Sequence, residues 1–161
     1  MQYISTTHQK ALEQTYKTTV IIALVFCFTP LLFIGVGRFL KVSPGATVTM
    51  EQYVLLNKIA YGGALLAGLL VVGLRRFWTK VVLRTGKGQR SIPALLNQLR
   101  LWAIMSGVLG ELVAILGFVA FSLSTDFQFC WRLGVVALLL ILYSFPRRSE
   151  WERVIASQAQ D

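Results

Sequence analysis

The chain has 161 residues, of which 55% are hydrophobic and 14% are charged, and its formal net charge is +9 at pH 7. Soluble domains carry about 25% charged residues, so this composition excludes a water-soluble domain and indicates a single-domain integral membrane protein. A basic excess of this kind orients a membrane protein and attracts anionic lipid. We therefore expect anionic membrane lipids as partners and do not expect nucleic-acid binding.

The first predicted membrane span covers residues 18–40 and follows a polar tail. No small-residue cleavage site follows the apolar run, so we interpret the tail, residues 1–17, as an uncleaved juxtamembrane segment and not as a signal peptide. Pro30 lies at the centre of the span. A proline there removes the helical hydrogen bond to the carbonyl of Phe26, so we expect a kink and a free acceptor in the middle of the membrane.

The second predicted span covers residues 54–74 and begins after a short connection. Thr49 and Gln52 have the spacing of a capping box, which predicts the start of its helix. Small residues recur every four positions along one side of the span, which favours close contact with another helix. The residues predicted to form this packing face are Ala60, Ala64 and Gly68.

Residues 75–100 form a basic segment with seven lysines and arginines and no acid. In its first part, apolar residues alternate with basic ones at helical spacing, which is typical of a helix lying on a membrane surface. The simpler interpretation is a cytoplasmic loop that fixes topology, to which binding of anionic lipid or of an acidic partner would be an addition. The residues that would bind are Arg75, Arg76, Lys80, Arg84, Lys87 and Arg90.

The third predicted span, residues 101–123, contains a single ionisable side chain, Glu111, near its middle. A charge at the centre of a bilayer costs at least about 2.5–3.5 kcal/mol, and desolvation favours the neutral acid, so we expect Glu111 to be protonated at neutral pH. Small residues on the same side of the helix predict a second packing face. They are Gly107, Gly110, Ala114 and Gly117.

Two hypotheses account for Glu111. In the first, the protonated acid donates a hydrogen bond to Thr29 or to the free carbonyl of Phe26, which would hold the first span against the third. In the second, it exchanges a proton or a cation during transport. A transporter usually has more than one polar residue along its pathway, and Glu111 is the only acid in its span, so we favour the structural hypothesis.

The fourth predicted span covers residues 129–145 and follows a tight turn in which Thr125 and Gln128 again have capping-box spacing. With four spans, both ends of the chain lie on the same side of the membrane as the basic segment. That side then holds 12 of the 16 lysines and arginines. Because basic residues concentrate on the cytoplasmic side, we predict an all-α, four-helix membrane bundle with N-in, C-in topology.

The sequence from Glu111 to Val119, ELVAILGFV, follows basic residues and the run from Leu99 to Trp102. It resembles the second helix of the proton-carrying c subunits of rotary ATP synthases, in which a carboxylate is followed by an apolar run with glycine. The small-residue second span, the basic segment and this helix together resemble the hairpin of that family. The resemblance implies that Glu111 would be the ion-binding carboxylate.

Several patterns of membrane enzymes are missing from the spans. They hold no histidine pair for haem, no paired cysteines, no nucleophile with a histidine base and no carboxylate cluster for a metal. We therefore predict neither an enzyme nor a metal or cofactor site. The favoured function is an accessory or assembly subunit, in contact with other membrane subunits of a larger complex in a bacterial inner membrane. The alternatives are an ion-handling protein that uses Glu111 and a lipid-binding adaptor that uses the basic segment.

Overall fold

The computed structural model describes the backbone of residues 6–40, 48–85 and 92–152, and the side chains of residues 10–40, 48–77 and 93–152. Within these ranges the chain forms α-helices and no strand. The helices are α1 (Thr6–Phe39), α2 (Met50–Thr85), α3 (Ile92–Ser124) and α4 (Phe127–Tyr143). Each is long and apolar enough to cross a membrane, which confirms the predicted all-α fold with four membrane-spanning helices.

α1, α2 and α3 extend beyond the predicted spans, whereas α4 is as long as its predicted span and begins and ends two residues earlier. At about 1.5 Å per residue, the 33 residues of α3 measure about 50 Å, against about 30 Å for the hydrocarbon core. Pro93 lies in the first turn of α3, where a backbone N–H would have no helical carbonyl to donate to, so proline costs no hydrogen bond there. α2 continues without a break to Thr85, so the first part of the basic segment is the end of a spanning helix and not the separate surface helix that its spacing predicted.

Side chains cap two helix starts at one end of the bundle. Thr49 and Gln52 form the predicted capping box, in which the Gln52 N–H donates to Thr49 Oγ1 at 3.3 Å and the Thr49 N–H donates to Gln52 Oε1 at 3.1 Å. The predicted box of Thr125 and Gln128 is wrong, because Asp126 is the N-cap of α4 and its Oδ1 accepts from the Gln128 N–H at 3.0 Å. Thr125 instead has a left-handed backbone with φ of 58°, which turns the chain between α3 and α4.

α3 and α4 form the centre of the bundle, since each packs against the other three helices. α1 and α2 both pack on α3 and on α4. The core between α2, α3 and α4 consists largely of alanines, which let the helix backbones approach one another closely. Its buried residues are Ala60, Ala64, Ala67, Val113, Ala114, Ala120, Phe129, Leu133 and Ala137.

Two glycines of α3 allow its closest contacts with neighbouring helices. A Cβ at Gly117 would lie 2.7 Å from the Cβ of Leu133 and 3.1 Å from the carbonyl oxygen of Phe129, both on α4. A Cβ at Gly107 would overlap the ring of Phe26 on α1. Helix association in lipid depends on such packing because lipid tails are as apolar as the side chains, so these glycines set the distances from α3 to its neighbours.

We expect Gly117→Ala to destabilise the bundle, because the new methyl group meets a Cβ and a backbone oxygen that cannot rotate away. Overpacking of this kind costs about 1–3 kcal/mol and should lower the midpoint of thermal unfolding in detergent. Gly62→Ala is the matched control, since nothing lies within 4 Å of a Cβ at Gly62 and alanine favours helix over glycine. Equal unfolding midpoints for the two variants would contradict this packing.

Candidate functional site

Glu111 lies on the side of α3 that faces α1. Gly107, four residues before it, contacts the ring of Phe26 on α1. Phe118, seven residues after it, stacks on Phe33 of α1 with ring centroids 5.0 Å apart. Residues four and seven apart share one side of a helix, so all three positions of α3 face the same neighbour. The order of the two contacts shows that α1 and α3 run in the same direction and that Glu111 lies beside the middle of α1.

The carboxyl of Glu111 has no partner among the residues that the structure describes. The side chain is half-buried, and its carboxyl oxygens take part in no hydrogen bond or ion pair there. Thr29 lies at a similar level, but its hydroxyl donates to the carbonyl oxygen of Val25 in its own helix at 3.4 Å. The structure therefore brings the two predicted partners, Thr29 and Phe26, to the α1 side of Glu111 without a hydrogen bond between them and the carboxyl.

The other small residues predicted to pack helices also lie at helix contacts. The three alanines of the set, Ala60, Ala64 and Ala114, are buried. Gly68 and Gly110 face leucine and isoleucine side chains of α4. Together with Gly107 and Gly117 they lie at the contacts of α2 and α3 with their neighbours, so the small residues serve packing.

A second apolar cluster lies outside the predicted spans, at the end of the bundle where α1 and α3 begin. We call it the end cluster. It joins α1, α3 and a helical turn, residues 148–152, that follows α4. Its buried residues are Leu12, Leu95, Leu96, Leu99 and Trp151.

Sequence interpretation missed the end cluster. Its residues come from three separate segments, and the part of α1 that contributes was interpreted as a polar tail. The helical spacing of Leu95, Leu96 and Leu99 was the one signal that pointed to it. The consequence is that the beginnings of α1 and α3 are packed against each other and against the turn that follows α4.

Arg75, on α2, contacts both the last residue of α4 and the helical turn that follows α4. Its guanidinium donates to the carbonyl oxygen of Tyr143 and lies 4.6 Å from the centroid of the Tyr143 ring. It also forms an ion pair with Glu150, with 3.0 Å between nitrogen and oxygen. Arg75 was predicted to bind lipid or a partner, and the structure adds these contacts within the chain.

The rest of the predicted lipid-binding set lies farther along α2 and beyond it. Arg76 is exposed at the same end of the bundle as the end cluster. Lys80 and Arg84 belong to the last turns of α2. Lys87 and Arg90 fall outside the described residues.

Comparison of the chain with protein-family models, with curated proteins and with solved structures found no match in any of the three. Function is therefore inferred from the residues of this chain alone. Two features of the described residues bear on function. They are the carboxyl of Glu111 beside α1 and the charged end of the bundle around the end cluster.

We expect Arg75→Gln to loosen residues 144–152, because glutamine cannot form the ion pair with Glu150 or the contact with the Tyr143 ring. Loss of both contacts should raise the equilibrium constant for local opening of this segment about tenfold. Amide hydrogen exchange of the segment measures that constant. Arg147→Gln is the control, since Arg147 is exposed and the substitution removes one positive charge from the same end of the bundle. Unchanged exchange in the Arg75 variant would show that these contacts do not hold the segment.

Proposed function

We propose that the protein is an accessory or assembly subunit of a larger membrane complex, in which another subunit completes the surroundings of Glu111. The observation that supports this function is the half-buried carboxyl without a partner among the described residues. A polar group left unpaired in hydrocarbon is costly. A helix of another subunit that offers a hydrogen-bond partner would remove this cost, and membrane helices associate through such contacts.

The outward faces of the bundle support a membrane-embedded position for this subunit. Large apolar side chains of α1 and α2 are more than half exposed, among them Leu24, Phe28, Leu65 and Leu69. In water such a surface would drive aggregation, whereas in hydrocarbon it is the ordinary surface of a spanning helix. Its neighbours in the membrane are lipid tails and the spanning helices of other proteins.

Proton or ion handling is the second candidate function. The same observation favours it, because a carboxyl that is half-buried and unpaired within the described chain can gain and lose a proton without breaking a hydrogen bond. This is also the role that the resemblance to proton-carrying c subunits implies for Glu111. The two functions differ in what they require of the side chain: assembly needs a hydrogen-bonding group, and ion handling needs an ionisable one.

Glu111→Leu and Glu111→Gln separate the two functions. If Glu111 completes a contact between subunits, the leucine variant should lower the amount of partner protein that co-purifies in mild detergent by about tenfold. The glutamine variant, which can still form a hydrogen bond, should retain most of that protein. If Glu111 handles ions, both variants should assemble normally and both should lose proton flux in liposomes.

Glu51→Leu serves as the control for this pair, because Glu51 is an exposed acid in the first turn of α2. It should leave co-purification unchanged. Full co-purification with the leucine variant of Glu111, together with unchanged proton flux, would overturn both functions.

We infer the N-in, C-in orientation from the distribution of charge over the two ends of the bundle, and we propose that the membrane is a bacterial inner membrane. The end that holds the end cluster carries more cations than acids among its described side chains, whereas the opposite end is nearly balanced. The first set is Lys10, Lys17, Arg75, Arg76, Arg100, Arg147 and Arg148 with Glu13, Glu150 and Glu152; the second is Arg38, Lys58 and Arg132 with Glu51 and Asp126. Positive ends of spanning helices stay in the cytoplasm, which supports this orientation.

Reporter fusions test the orientation directly. Alkaline phosphatase fused to either end of the chain should be inactive, because the enzyme needs the oxidising side of the membrane. The same reporter inserted in the connection between α1 and α2 should be active. Activity at either end of the chain would contradict the N-in, C-in orientation.

A further inference from the structure

A small cavity opens at the end of the bundle beside the end cluster. Its volume is about 100 Å³, and α1 contributes most of its lining. A cavity needs only about 10–15 Å³ to hold one water molecule, so this one has room for a phosphate or an ammonium group. Its lining residues are Leu12, Glu13, Tyr16, Lys17, Arg148 and Trp151.

The inner wall of the cavity is aromatic and held in place by its own contacts. Trp151 is buried, and the ring of Tyr16 meets it edge-on with centroids 5.7 Å apart. The Tyr16 hydroxyl donates to the carbonyl oxygen of Pro146 at 3.5 Å. Tyrosine and tryptophan favour the level of the lipid headgroups, and their ring faces attract cations.

The rim of the cavity carries two cations and one acid, Lys17, Arg148 and Glu13, and each cation forms an ion pair. Lys17 pairs with Glu13 at 2.7 Å, and Arg148 pairs with Glu152 at 2.7 Å. All four side chains are between 45% and 69% exposed, so a ligand can reach them. Exposed pairs of this kind are weak and can exchange partners at little cost. A rim with both signs of charge suits a ligand that also carries both.

The cavity continues into an apolar stripe along α1. Ile21, Leu24, Phe28 and Leu31 follow Lys17 at steps of three and four residues, which places all of them on one side of the helix. Each of the four is between 53% and 63% exposed. A molecule whose polar group sits at Lys17 can therefore lay a long apolar chain on this stripe within the membrane.

We propose that the cavity binds the headgroup of a zwitterionic phospholipid with a primary ammonium, of the phosphatidylethanolamine type. The Arg148 guanidinium and the Lys17 ammonium hold the phosphate, and arginine suits it because its planar fork donates to two phosphate oxygens. The Glu13 carboxylate accepts hydrogen bonds from the lipid ammonium, which lies against the Tyr16 and Trp151 rings. The acyl chains follow the apolar stripe of α1. This site goes beyond the proposed function and does not depend on Glu111.

Lipid retention by the full-length protein tests the site without any variant. The protein is purified in mild detergent, exposed to equal amounts of phosphatidylethanolamine, phosphatidylglycerol and phosphatidylcholine with identical acyl chains, and examined by native mass spectrometry. We expect phosphatidylethanolamine to be retained most, because only this headgroup combines the phosphate with an ammonium that donates hydrogen bonds to Glu13. Equal or stronger retention of phosphatidylglycerol would overturn the proposal, since a plain anion would then suffice.

Two variants test the roles of the charged residues at the rim in binding the lipid headgroup. Lys17→Gln with Arg148→Gln should lower the retention of phosphatidylethanolamine by about five- to tenfold, because both phosphate contacts are lost. Glu13→Gln should leave the phosphate contacts intact and reduce only the preference for phosphatidylethanolamine over phosphatidylcholine, by about fivefold.

The matched control is Lys10→Gln with Arg147→Gln. Both residues are exposed at the same end of the bundle, neither lines the cavity, and the variant loses the same charge. An equal fall in phosphatidylethanolamine retention in the control and in the rim variant would overturn the site and leave general charge attraction as the cause.

Discussion

The close approach of α3 to α1 and α4 is the contact on which the rest of this bundle depends. Backbone groups in hydrocarbon are satisfied inside each helix, so helices associate through side-chain packing and a few polar contacts. Gly107 and Gly117 let α3 come within contact of Phe26 on α1 and Leu133 on α4. Because α3 is one continuous helix, this packing also sets where its other residues lie: Glu111 beside the middle of α1, and Leu95 to Leu99 in the end cluster.

The sequence alone predicted the four spanning helices, because a run of about 20 apolar residues is long enough to cross the hydrocarbon core and can satisfy its backbone hydrogen bonds there only as a helix. It did not predict that α1 begins as early as Thr6, because residues before the apolar run, such as Glu13, are themselves good helix formers. The start of α2, in contrast, was predicted from the capping box of Thr49 and Gln52. The end cluster was missed for a different reason. Leu12, Leu99 and Trp151 are distant in sequence, and only the parallel packing of α1 and α3 shows that they meet. The small-residue faces of α2 and α3 were visible in the spacing, but their partners were not.

Charge counting supports the proposed orientation but does not say what each cation does. Arg75 and Arg147 are equal in the count, yet Arg75 contacts Tyr143 at the end of α4 and Glu150 beyond it, while Arg147 is exposed. Arg148 has Glu152 as its partner, and Lys17 has Glu13. The positive end of the bundle is therefore not a uniform basic surface. It contains paired charges that fix the segment after α4 and shape a rim, together with cations such as Lys10 and Arg147 that face solvent.

The two polar sites lie on opposite sides of α1, which makes them separable. Phe26 faces α3, and it follows Lys17 by nine residues, which at about 100° per residue is half a turn around the helix. A lipid whose chains lie on the stripe from Ile21 to Leu31 would therefore cover the side of α1 that faces away from Glu111. A helix of another subunit that approached Glu111 would enter at the edge between α1 and α3 and would not need to displace that lipid. Substitutions at Lys17 should thus report on the headgroup site alone, and substitutions at Glu111 on assembly or ion handling alone.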